Sequence, residues 1–397
     1  MRGVPKVLVT LLLVAACGSE KSPFAKGNGA SGGRSGQGGA VGSGGFTQLP
    51  STRGGTTGSG GRVPDEPPGE NVLTLLHGIV DAPAISICFA KGQTLDAPPL
   101  GMPQPPGGLS YGSSLVLRSI DGIDWAKDTL STWIIAGDLS LVEGLDCEQA
   151  VTLAKSEMAM ASEAPEPSAE GGAGGAGGAA GAPGAGGEGG GFTAEPPRLR
   201  AARLPFVPAG TLSVGRSSLM VAEGCIGGPA YQSRLGENAC GAGYSKTSAT
   251  LSAVLVQMSR RSMPFRLGLQ AVHASQANGA VGVTSAPIDG GASFVVVANS
   301  VELGGIAPRT LELNYDVSSW GVNTPDWQLE VSQNSTVLFA EPWSTVLARA
   351  GVSLLANGSA YALVFVGPGV GVPLGRNQLW NPPRIVLVPT DPTPEEP

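Results

Sequence analysis

Downstream of residue 70, apolar residues come in short runs that Gly, Pro, Asn or Asp soon interrupt. Val72 to Leu76, Ala84 to Phe89, Ser114 to Leu117, Trp133 to Ile135 and Ser218 to Val221 are of this kind. So are Leu267 to Val272, Phe294 to Ala298, Thr310 to Leu313, Trp327 to Val331, Val337 to Phe339, Tyr361 to Val366 and Ile385 to Val388. Runs this short suit strands better than helices, and their regular interruption by turn residues predicts an all-β sandwich. One segment is ambiguous. Leu251, Val254, Leu255 and Met258 follow a helical spacing, yet Ala249 to Gln257 also serves as a strand, and the strand is the reading adopted.

Two stretches lack any apolar period. Residues 18–70 are rich in Gly, Ser and Thr and read as a flexible tether, with a random-coil reach of roughly 40 Å. Residues 158–197 read as a disordered insertion within a folded module. Gly29-Ala30-Ser31-Gly32-Gly33 in the tether matches a nucleophile elbow, but an elbow needs a strand before it and a helix after it, so composition explains the match. Charge points the same way. The 24 Lys and Arg against 31 Asp and Glu give −7, and six of the acids lie within 156–197, where there is no Lys or Arg. The remainder is near neutral, which excludes the basic footprint of a nucleic-acid binder. His77 and His273 are the two histidines of the chain, so a multi-histidine metal site is also excluded.

The first residues carry an address. Arg2 and Lys6 precede an apolar run of ten residues, Val7 to Ala16, about half the length needed to cross ~30 Å of hydrocarbon. That pattern predicts a secretory signal peptide over 1–16. Leu13-Val14-Ala15-Ala16-Cys17-Gly18-Ser19 resembles the lipobox of bacterial lipoproteins. The resemblance implies that Cys17 bears the lipid after cleavage. Gly18, rather than Asp, implies the outer membrane or cell surface as destination. Five Cys is an odd count, and assigning Cys17 to lipid leaves four for an oxidising compartment. Four Cys allow three pairings that sequence order does not separate. The expected pairs are Cys225 with Cys240, across a short loop of Gly, Asn and polar residues, and Cys88 with Cys147.

The chain uses one plan twice. Leu73-Thr74-Leu75-Leu76-His77 parallels Leu269-Gln270-Ala271-Val272-His273, with Trp133 and Trp327 following at similar distances. Leu212 to Val221 parallels Leu355 to Val364, including Gly215 and Gly358. Two modules, 71–265 and 266–390, follow from this, with a tail at 391–397. The motif His77-Gly78-Ile79-Val80-Asp81-Ala82-Pro83-Ala84 is similar to a family of secreted bacterial domains of unknown function, whose first strand runs into a His-Ala-Ser-Pro-Asp-Ala-Pro-Ala turn. His77, Asp81, Ala82, Pro83 and Ala84 match. The second copy keeps His273-Ala274-Ser275 but carries Gln276-Ala277-Asn278 where Pro-Asp-Ala is expected. The resemblance implies immunoglobulin-like β-sandwich domains outside the cytoplasm and brings no catalytic residue.

Physical chemistry gives the motif a structural role. Asp81 is expected to cap its own turn and Pro83 to set the backbone leaving it, while each His packs at a strand end with a nitrogen on a carbonyl. Asp121, Asp124 and Asp128 lie close together, but their spacing is not that of a calcium-binding helix–loop–helix and suits a solvated turn. Six Trp supply either core filler or a stacking surface for sugars and peptides. Asn334-Ser335-Thr336 and Asn357-Gly358-Ser359 fit a glycosylation sequon that a bacterial lipoprotein does not ordinarily use. The expectation is a lipid-anchored envelope protein that binds an envelope or extracellular protein or glycan, or serves a structural role, without enzyme activity or cofactor. The alternative is an extracytoplasmic hydrolase acting on polysaccharide or peptide.

Overall fold

The computed structural model describes residues 69–94, 96–162, 198–212, 215–227, 235–241, 244, 249–260, 264–290, 294–307, 311–314, 326–353, 355–369, 372 and 380–391. The signal peptide, Cys17, most of the tether and residues 163–197 lie outside them. The strands of the first half are β1 (Val72–Ile79), β2 (Ala84–Lys91), β3 (Pro99–Ser110), β4 (Ser114–Leu117), β5 (Leu130–Gly137), β6 (Leu199–Arg203), β7 (Ser217–Gly224) and β8 (Ser252–Met258). Those of the second half are β9 (Arg266–Ala274), β10 (Val281–Pro287), β11 (Val295–Val301), β12 (Leu311–Asn314), β13 (Trp327–Gln333), β14 (Thr336–Pro342), β15 (Ala360–Val366) and β16 (Arg384–Pro389).

The two halves have one topology. The first forms sheets of order β4-β1-β7-β8 and β3-β2-β5-β6, and the second forms β12-β9-β15-β16 and β11-β10-β13-β14. Each strand of the second half therefore occupies the place of its counterpart eight strands earlier. Even the single parallel pair recurs. β1 lies parallel to β7 with Leu73 opposite Ser218, and β9 lies parallel to β15 with Leu269 opposite Tyr361. These are the residues that the sequence repeat aligns. The Trp match does not survive. Trp133 stands opposite Cys88 in the middle of β5, whereas Trp327 stands opposite Pro287 at the start of β13.

Each sandwich has its own core. Leu73, Leu75 and Ile79 face Ile85, Ile87 and Ile134 in the first, and Leu269 and Leu363 face Val283, Leu329 and Trp343 in the second. A third core lies between the sandwiches. Leu76, Leu219, Val221, Val254 and Val256 of the first pack against Val272, Ala362, Val364, Val366 and Val388 of the second. The two modules are thus stacked face to face within one compact unit rather than strung as separate heads. This explains why β1, β7 and β15 are buried at every residue and β9 at all but Arg266. Strands covered on both faces read as unbroken apolar runs, the pattern of a parallel pair shielded from water. Arg260, leaving β8, donates to the Glu70 carbonyl, and Thr390 Oγ1 donates to the Arg260 carbonyl at 3.1 Å, closing one end of this seam.

The halves differ in one connection. Asn334 and Ser335, with φ of 50° and 64°, join β13 to β14 in a tight hairpin. The equivalent β5–β6 connection carries a 3₁₀ turn, Leu139–Val142, and α1 (Cys147–Ser162). The helix runs past residue 158, where the insertion was expected to begin. Asp146 and Gln149 form a reciprocal cap at its start, with Gln149 N–H on Asp146 Oδ1 at 2.8 Å and Asp146 N–H on Gln149 Oε1 at 3.3 Å. Cys147, Ala150, Val151 and Ala154 then bury one stripe against Trp133 and Ile135 on the outer sheet. Two short helices, α2 (Leu235–Cys240) and α3 (Trp343–Arg349), complete the described helical structure.

The seam makes a direct prediction. Leu76 is fully buried within it, and Leu76→Ala is expected to destabilise the protein by roughly 2–5 kcal/mol. In urea unfolding followed by tryptophan signals from both halves, the two halves should shift together. A shift confined to the first half would contradict a shared core.

Candidate functional site at the histidine ends of the strands

Both histidines sit where β1 and β9 leave the sheet, and both are fully buried. His77 Nδ1 accepts from the Ile79 N–H at 3.2 Å, so Nε2 carries the proton and donates to the Ala82 carbonyl at 2.9 Å. His273 repeats the arrangement, with Nδ1 accepting from Ser275 N–H at 3.3 Å and Nε2 donating to Gly279 at 2.9 Å. The backbones match too. His77 N–H donates to the Ser113 carbonyl and the His77 carbonyl accepts from Gly112 N–H, while His273 N–H donates to the Gly305 carbonyl and the His273 carbonyl accepts from Gly304 N–H. Gly112 and Gly304 have φ of 74° and 75°, a backbone that glycine supplies without strain.

Burial pushes the His77 imidazole down to about 3, against the Ala82 carbonyl and with help from Arg384, and burial lowers His273 as well. Each ring is held neutral and works as a fixed donor–acceptor pair. Because the folded His77 refuses a proton that the unfolded chain accepts near its ordinary value, stability is lost as pH falls from that value toward about 3.

Asp81 does more than serve its own turn. Its Oδ1 accepts from the Ile226 N–H at 2.8 Å and its Oδ2 from Gly227 N–H at 2.9 Å, with Arg200 at 3.4 Å. Burial pushes its carboxyl up, while Arg200 and the two N–H groups pull it down. The turn after β1 is thereby fixed to the segment after β7, next to the disulfide Cys225–Cys240, whose Cα atoms lie 5.4 Å apart. The second half makes the equivalent link with other chemistry. Asn278 Nδ2 donates to the Pro368 carbonyl at 3.3 Å and Ser275 Oγ donates to Gly367 at 2.8 Å. Pro83 is exposed, and its carbonyl accepts from Tyr111 N–H at 3.0 Å.

The sequence reading missed Asn381, which crosses from the second half. Its side chain donates to Ile79 and Ala82 at 3.1 and 2.6 Å, and its N–H donates to Val80 at 2.7 Å. Arg200 was missed for the same reason, since both act on residues more than a hundred positions away.

The Cys88–Cys147 disulfide, with Cα atoms 5.6 Å apart, ties the start of α1 to β2. Asp124 pairs with Lys127 and Asp128 with Lys91, each at 2.9 Å, and Asp124 caps Ala126 N–H at 3.0 Å. Among the described residues, no three His, Cys, Asp or Glu side chains converge on one point. Trp125, Trp133, Trp343 and Trp380 are core residues, Trp327 is half-buried, and Trp320 lies outside the described residues. A cleft of about 400 Å³ opens between β3 and the 3₁₀ turn, lined by Met102, Pro103, Pro105, Leu139 and Leu145 with Ser86 and Glu143 at hand. Such a surface receives an apolar group, and Glu143 is its one titratable lining residue.

Asp81→Ala leaves two buried N–H groups and the Arg200 guanidinium without this acceptor. It is expected to cost roughly 3–5 kcal/mol in urea unfolding, and Asp81→Asn less. A loss under about 1 kcal/mol would contradict the long-range role of this carboxylate.

Set beside known protein families and curated sequences, the chain matches no family model and no curated protein.

Proposed function

We propose that this is a lipid-anchored protein of the bacterial cell envelope, at the outer membrane or cell surface, with a binding or structural role and no catalysis. The observation that carries the reading is cysteine pairing. Cys88, Cys147, Cys225 and Cys240 are consumed in two disulfides, which leaves Cys17, in its lipobox-like context, as the fifth. Disulfides that tie α1 to β2 and α2 to the segment after β7 suit an oxidising compartment.

The binding half of the proposal rests on the cleft beside β3, whose methionine, proline and leucine lining accepts an apolar side chain of a protein partner or the apolar face of a glycan. The histidines favour architecture over hydrolysis, because both ring nitrogens of each are already engaged with backbone. Among the described residues, no helix is long and apolar enough to cross a membrane, and the proposed attachment is through the lipid on Cys17.

Metabolic labelling with a fatty-acid analogue tests the anchor. The full chain should take up label, and Cys17→Ala should abolish it and release the protein from the membrane fraction. Undiminished labelling of the variant would overturn the assignment.

A further inference from the structure

Glu223 is an outlier in the seam between the sandwiches. Along β7, Met220 and Ala222 face the first sandwich's core, while Leu219 and Val221 face the second sandwich. Alternation therefore sends Glu223 into the seam, where it is 4% exposed. Its Oε1 accepts from the Ser252 hydroxyl at 2.6 Å, and its Oε2 has no hydrogen-bond partner. The hydroxyl of nearby Thr250 is likewise buried without a partner.

Among the described residues, no compensating charge faces Glu223. Opposite Glu223 on β1 stands Gly78, where a Cβ would come within 3.0 Å of Val366 Cγ1 of the second sandwich. The side-chain amide of Gln276, from the turn after β9, lies 2.7 and 3.2 Å from the Cys240 and Thr250 carbonyls, and because carbonyls only accept, its nitrogen is assigned to that side. β8 contributes Ser252, and β15 ends here in Val366. The histidines of β1 and β9, His77 and His273, are tied to the Ala82 and Gly279 carbonyls, and Arg266 stands at the opposite end of β9. Burial pushes the Glu223 carboxyl up to about 7, with the Ser252 hydroxyl opposing.

A neutral acid with one unmet oxygen is tolerable among valines and alanines, whereas an unpaired buried carboxylate is far less so. We propose that Glu223 is a proton-operated latch on the seam. As the neutral acid it lets the two sandwiches close over it, and as the carboxylate it opens this end of the seam to water. The sign follows from the raised folded value. Closure is complete below the ordinary carboxylate range and is lost as pH rises through about 7. The elements that loosen are β7, β8 and the end of β15, while the outer sheets keep their own cores.

Hydrogen–deuterium exchange of the full chain at about pH 6 and about pH 8.5, corrected for intrinsic exchange, reads the latch directly. Opening of β7, β8 and β15 peptides should rise by roughly tenfold or more at the higher pH, with β10 and β13 unchanged. Glu223→Gln should hold the seam closed at both values. Ser252→Ala, which removes the hydroxyl that favours the carboxylate, should move the midpoint to higher pH and gives a second test if the glutamine variant fails to fold. Equal exchange of wild type and Glu223→Gln at the higher pH, a midpoint unmoved by Ser252→Ala, or a rise spread evenly over all sheets would overturn the proposal.

Discussion

The double burial of β1, β7, β9 and β15 is the constraint on which the architecture depends. Each of these strands presents one face to its own sandwich and the other to its neighbour, so polar side chains are admitted only where something else compensates. Fully burying a valine or leucine contributes about 1.5–3 kcal/mol, and the seam gathers many of them. The exceptions are informative. Thr74 and Ser217 bury hydroxyls without a partner, and Glu223 buries an oxygen in the same state. A seam that tolerates such groups has apolar contact to spare in the rest of its area.

The histidine end of the seam is secured by side chains that cross it. Asn381 of the second half holds the turn after β1, and Gln276 of the second half holds the segment before β8. Arg384 stacks over Tyr111 at 5.0 Å and donates to its carbonyl at 2.8 Å. Divergence between the copies is concentrated away from the seam. The first outer sheet is covered by α1, with Lys155 over Trp133 at 4.3 Å and a disulfide below. The second outer sheet carries Gln328 and Glu330, hydrogen-bonded to each other at 2.9 Å, on its outward side. The inner sheets of the two halves match in order and register, and the outer layers are where the halves differ.

Much of this was legible from the residues. The apolar runs located most strands, the His-containing repeats aligned β1 with β9, and most of Ala249 to Gln257 is strand in β8. Three strands carry no such signal. β3 is studded with Pro103, Pro105 and Pro106, which suit a sheet edge yet look like loop, and β6 and β10 have no long apolar run. α1 was also passed over, although its cap residues Asp146 and Gln149 and the stripe from Cys147 to Ala154 were present to be read. The stacking of the sandwiches was not legible, because an unbroken run such as Leu75-Leu76 shows that two faces are buried without showing against what. The reach of Asp81 was hidden for a similar reason. Short-range spacing suggests a local cap, and only the fold brings Ile226 and Gly227 to its carboxylate.

Calorimetry of the full chain bears most directly on the shared core. If the inner sheets are halves of one hydrophobic layer, heating should give a single transition whose van't Hoff and calorimetric enthalpies agree. Two resolved transitions, each carrying about half the enthalpy, would mean that the sandwiches fold independently and that the seam is incidental.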